Sequence, residues 1–228
     1  MTPLQLVLMH GIKVCLLAVL LGLIVTRRYR LCWSFVAYLG AQLVATALWS
    51  FWPATFYNQR FWVTHELTVN ILILATGVEI AFRVFRSFPG ARPLLFLCAL
   101  VVATVTGTSL IGLPRDPSFA ALLQWHPRIL TGAIWMMTVT AAVAAWYRLP
   151  LNALHRGILL GIAPYLFVFT TLLGTLARLG CDLRREASAV DVFAYLCVAL
   201  WWTYVAWRPY ERVAIAPEIL RRLRFEEA

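Results

Sequence analysis

A chain of 228 residues that is 62% hydrophobic, with a mean hydropathy of +0.78, carries more apolar surface than one soluble core of that size can bury. A soluble globular domain is therefore excluded, and lipid is the expected solvent. The net charge of +10 does not point to nucleic acid: Lys13 is the sole lysine, and the other nineteen basic residues are arginines, most of them set in short clusters between apolar runs. That is the placement of a topology signal and of headgroup contacts, not of a nucleic-acid face.

The fold class predicted is all-α: a bundle of seven transmembrane helices over residues 1–210, then a short tail at 211–228. Apolar runs fall at 4–26, 31–52, 61–82, 93–113, 120–146, 153–177 and 188–207, each near the roughly 20 residues that cross a bilayer core. The first run lacks a basic leader and a small-residue cleavage site, and Arg27, Arg28 and Arg30 follow it at once, so it is expected to be a retained helix rather than a signal peptide. Trp49, Trp52, Trp62, Trp125, Trp146 and Trp207 sit near the predicted ends, where an indole can bury its ring and keep its N–H wet. Cys15, Cys32, Cys98 and Cys197 fall in apolar runs and only Cys181 in a loop, so no pair resembles an exported disulfide.

Arginine counting orients the bundle. Arg27, Arg28, Arg30, Arg83, Arg86, Arg92, Arg148, Arg156, Arg208, Arg212, Arg221, Arg222 and Arg224 fall on one side, and Arg60, Arg115, Arg178, Arg184 and Arg185 on the other. The excess puts the N-terminus outside and the C-terminus in the cytoplasm of a bacterial inner membrane, with the loop from Arg178 to Arg185 a local violation of the rule. After Pro217 the tail places Ile219, Leu220 and Leu223 among arginines at helical spacing. It predicts a short amphipathic helix on the cytoplasmic leaflet, its arginines meeting anionic lipid headgroups.

Ionisable side chains inside a bilayer are costly, so each is a candidate site. His10 and Lys13 in the first span, His65, Glu66 and Asn70 in the third, and Asp191 in the seventh all fall in the outer half. Two readings of this set arise: a pocket for a small polar or anionic ligand, or a buried network tying the first, third and seventh helices together, with Lys13 neutralised by Glu66 or Asp191. His10, His65 and His126 share a depth and are the candidate metal or haem ligands, but no two lie at an H-x₃-H spacing, so no cofactor is predicted. Glu79 and Arg83, four apart, predict a structural ion pair. Pro164 predicts a kink in the sixth helix, with Thr170, Thr171 and Thr175 satisfying the carbonyls it frees. Gly157 and Gly161 form a small-xxx-small face.

A retinal Schiff base needs a lysine in the last helix. That helix has none, so retinal is rejected. The stretch Glu79-Ile-Ala-Phe-Arg-Val-Phe-Arg-Ser-Phe-Pro-Gly-Ala-Arg-Pro93, with the Arg-Pro-Tyr-Glu-Arg run at 208–212, resembles a group of uncharacterised bacterial seven-helix membrane proteins of acidobacterial type. In that group the third helix ends in a similar acidic-then-basic turn and a Tyr-Pro-Gly or Phe-Pro-Gly loop. The resemblance implies the seven-helix topology and supplies no catalytic residues.

With no nucleophile elbow, HExxH or phosphate loop in the sequence, the leading expectation is a non-enzymatic membrane subunit packing with other membrane proteins or with itself. The alternative is a receptor, sensor or carrier that uses the outer-half residues. A haem- or metal-binding membrane protein ranks third.

Overall fold

In lipid only a helix satisfies its own backbone N–H and C=O groups along an isolated run, and the computed structural model is helical wherever such runs are described. The long helices are α1 (Pro3–Val25), α2 (Trp33–Phe51), α3 (Gln59–Arg86), α4 (Phe119–Trp146), α5 (Ala153–Leu179) and α6 (Arg184–Trp207), with a single helical turn at Pro53–Phe56 between α2 and α3. The structure describes residues 3–56, 58–86, 100, 119–146, 151–179 and 184–209. The expected span at 93–113 and the amphipathic tail at 211–228 lie outside them. All six helices are long and apolar enough to cross a membrane, so the chain has the character of a multi-pass membrane protein. Among the described residues there is no strand.

Each helix packs on two neighbours and the set closes into a ring: α1 on α2 and α6, α2 on α3, α3 on α4, α4 on α5, and α5 on α6. Inward stripes follow helical spacing, as in Ile12, Leu16, Val19 and Leu23 of α1, while Val14, Leu17, Leu21 and Ile24 of the same helix face outward. Both faces are apolar because both the interior and the lipid are apolar solvents.

Short connections are fixed by local chemistry. The Asn58 carboxamide oxygen accepts from the Phe61 amide at 2.8 Å, and that of Asn152 from the Leu154 amide at 3.0 Å, side-chain caps for the first turns of α3 and α5. After α1 the chain turns through Arg27, the one described non-glycine residue at positive φ (55°), into a 3-10 turn, Arg28–Leu31. Arg28 is buried there, and its guanidinium donates to the Val205 carbonyl at 3.1 Å and the Arg208 carbonyl at 2.7 Å. It thereby covers the acceptors left over at the end of α6 with a positive charge, the sign a helix C-terminus favours. His155 at the start of α5 adds a 2.8 Å bond to the Leu31 carbonyl.

At this same end, here called the arginine end, the Glu79 carboxylate of α3 caps a helix other than its own. It accepts from the Ser34 amide and hydroxyl, both at 2.8 Å, and from the Trp33 amide at 3.1 Å, the first N–H groups of α2. Arg83 donates to it at 2.6 and 2.9 Å, so the expected pair is present and also serves as an interhelical clamp.

The indoles of α6 fasten it to both neighbours: Trp201 donates to the Gly157 carbonyl of α5 at 2.9 Å and Trp207 to the Ala18 carbonyl of α1 at 3.0 Å. Helix α5 runs unbroken through Pro164. Its threonines bond the carbonyls of Leu166, Phe167 and Thr171, not that of Leu160, whose usual donor the proline removes. The expected rescue of the freed carbonyl by these hydroxyls is therefore not what they do; each bonds back one turn along its own helix.

Candidate functional site

Four helices send polar groups into the interior of the ring. Tyr38 lies on α2, Glu66 and Asn70 on α3, Tyr165 on α5, and Asp191 and Tyr195 on α6. The Tyr38 and Tyr195 hydroxyls share a 2.7 Å hydrogen bond, and the Tyr165 hydroxyl donates to Asp191 Oδ1 at 3.2 Å. The rings of Tyr165 and Tyr195 are 5.0 Å apart, and those of Tyr38 and Tyr195 stand almost perpendicular to the Trp202 indole. The Glu66 carboxylate is near enough to that of Asp191, and to the phenols of Tyr38 and Tyr165, to interact with them electrostatically. Two acids thus share a low-dielectric interior, where like charges repel strongly.

Asn70 is one turn from Glu66 on the same face of α3. It is 1% exposed, and its Oδ1 has no hydrogen-bond partner. His65 packs edge-on against Trp49, its Nδ1 3.8 Å from Glu66 Oε1, and neither ring nitrogen makes a hydrogen bond. The Trp202 N–H, beneath Tyr38 and Tyr195, is also without a partner. Among the described residues the buried side-chain polar atoms left unbonded belong to these three residues alone. Each costs about 1–3 kcal/mol relative to a bonded group, so the cluster is not a closed network.

No family model, no curated protein and no solved structure matches this chain. Its chemistry is therefore read from its own residues.

The six candidates from the sequence do not all meet. Glu66, Asn70 and Asp191 belong to the cluster, and His65 adjoins it through Glu66. Lys13 does not: it is half-buried on α1, and its ammonium donates to Ser50 of α2 at 3.5 Å. The expectation that Lys13 neutralises Glu66 or Asp191 is corrected accordingly, and with it the expectation of a network through the first helix. The polar helices are α2, α3, α5 and α6. The physical reason is rotational: Ile12 and Leu16 define the inward stripe of α1, and Lys13 is turned about 100° away from Ile12.

His10 is exposed on α1 whereas His65 is packed inside, and the side chain of His126 lies outside the described residues. No group of three or more His, Cys, Asp or Glu that could hold a metal occurs among the described residues.

Sequence reasoning missed the tyrosines. Their signal was available, because a buried phenol must place its hydroxyl on a partner, and Tyr38, Tyr165 and Tyr195 all fall within apolar runs. His155 was also missed, hidden in the sequence beside Arg156 at a helix start.

Proposed function

We propose that this protein is a membrane receptor or carrier that binds a small polar ligand in the tyrosine–carboxylate cluster, opening toward the end of the bundle where α1 begins. The observation that carries the reading is the set of unbonded polar atoms on Asn70 and His65 next to two acids: a network built only for stability satisfies its members, whereas a binding site leaves groups for its ligand. The subunit reading drew support from small-residue faces, but Gly157 and Gly161 are occupied within the chain by Val205 and Trp202.

The topology proposed with it is seven crossings, N-terminus outside, in a bacterial cytoplasmic membrane. In its support, α3 and α4 finish at the same end of the ring: Glu79 near the end of α3 clamps the start of α2, and α5, which follows α4 after a short connection, starts beside Leu31. A further crossing at 93–113 accounts for that parallel pair, and the arginine excess accounts for the orientation.

A ligand site is less stable empty than a structural network would be. Asp191→Asn keeps an oxygen for the Tyr165 hydroxyl and removes the repulsion with Glu66. It is expected to raise the melting temperature of the purified, ligand-free protein by a few degrees, equivalent to about 1 kcal/mol. A fall of similar size would mean that the carboxylate is a structural member, and would sink the pocket.

A further inference from the structure

Lys13 sits six residues inside the span Val7–Val25, so its Cα lies about 9 Å below the start of that span. The side of α1 that meets α6 is marked by Gly11 against Leu196, by the Cys15 carbonyl that accepts from Thr203, and by the Ala18 carbonyl that accepts from Trp207. Lys13 is turned about 200° from Cys15, onto the side that faces α2. There its ammonium reaches Ser50, the last residue but one of the span Trp33–Phe51. A cation rooted in the apolar zone is thereby lifted along its own stem to the level of the headgroups, and among the described residues no carboxylate pairs with it. We propose that the groove between α1 and α2 seats an anionic phospholipid, its phosphate held by Lys13 and Ser50, in the leaflet on the side where α1 begins, the outer one in the proposed topology.

The donors and acceptors match. An ammonium carries three N–H donors and no acceptor, and its bond to Ser50, at 3.5 Å, is longer than the usual range. Ser50 accepts there through Oγ, so its own hydroxyl proton remains to be donated. A phosphodiester brings charged acceptors and no donor, and can take from both groups. His10 is exposed on the same flank of α1, one turn nearer its start, and adds a ring N–H at headgroup level. Below Lys13, Val14, Leu17 and Leu21 face outward from α1, and Val44 does so from α2, giving an apolar wall at the depth of the acyl chains. The seat is separate from the pocket, because Lys13 lies outside the tyrosine–carboxylate cluster.

The test titrates the full-length protein in maltoside micelles with three probes: dioleoyl phosphatidylglycerol, dioleoylglycerol, which has the same chains and no phosphate, and inorganic phosphate. The phosphatidylglycerol is expected to raise the melting temperature saturably, and the other two to leave it unchanged. Lys13→Gln should weaken the apparent affinity about fivefold, the contribution of one basic residue beside an anionic lipid. Ser50→Ala should weaken it in the same direction, and Lys13→Arg should keep most of it. A Lys13→Gln titration that superimposes on the wild type would put the lipid on the arginines at the other end of the bundle and overturn the proposal. Equal stabilisation by dioleoylglycerol would mean a merely apolar groove, and by inorganic phosphate a free anion. Either result overturns the lipid phosphate, as does the absence of any saturable response.

Discussion

Glu79→Ala is expected to lower the stability of the detergent-solubilised protein by about 3 kcal/mol, a drop in melting temperature of roughly 6–12 °C. The carboxylate satisfies both the first amides of α2 and the Arg83 guanidinium, so its loss has two consequences. The start of α2 loses its cap, worth about 1 kcal/mol and up to about 2. Arg83 loses this carboxylate, and because its side chain is 34% exposed, solvent screens the change and holds that part below the 3–5 kcal/mol of a fully buried pair. Glu79→Gln separates the two effects. Its amide oxygen can still accept from Ser34 but no longer offers a charge to Arg83, so it should fall about midway. A change of less than about 0.5 kcal/mol in the alanine variant would mean that the clamp between α2 and α3 contributes nothing.

Gly161→Ala and Gly157→Ala are expected to destabilise by about 2 kcal/mol each, against the sign of helix propensity, which favours alanine over glycine by up to about 1 kcal/mol. Packing decides the sign. A Cβ at Gly157 would sit 2.6 and 2.8 Å from the two methyls of Val205 and 3.1 Å from its Cβ, a branched side chain stiff about its first torsion. At Gly161 a Cβ would run into the Trp202 indole, touching its nitrogen and lying 3.1 Å from Cε2. That ring cannot retreat, because Phe35 meets it edge-on at 5.0 Å with Tyr38 and Tyr195 beyond. Overfilling a packed interior costs about 1–3 kcal/mol. Gly174→Ala, on the same helix with nothing within 4 Å, is the control and should be neutral or slightly stabilising. Equal melting temperatures for all three variants would show that α5 and α6 do not approach as closely as the glycines permit.

Hydropathy made the six described helices legible with ends good to a few residues, the largest errors being four residues each: α3 runs on to Arg86 where the apolar run suggested 82, and α6 starts at Arg184 where it suggested 188. The depth of Glu66, Asn70 and Asp191 was legible for the same reason, since distance along a helix of known rise is depth in the membrane. Rotation was not. In a soluble helix the apolar stripe marks the inward face, but here Leu17 and Leu21 face outward while Leu16 and Leu23 face inward, so nothing in the pattern revealed that Lys13 and Glu66 are turned away from each other. Neighbour relations were hidden too. The approach of α5 to α6 is written in two glycines whose partners, Val205 and Trp202, lie more than forty positions along the chain.

The central claim is that Glu66 and Asp191 line a pocket open to water on the outer side, and sided cysteine labelling tests it most directly. In a chain whose native cysteines have been replaced, Glu66→Cys should react with a small membrane-impermeant thiol reagent in right-side-out vesicles and resist it in inverted ones, while Leu39→Cys, on the fully buried face of α2, should resist it in both. Silence of Glu66→Cys in both preparations would mean a closed interior, and labelling only in inverted vesicles would place the opening on the wrong side of the membrane.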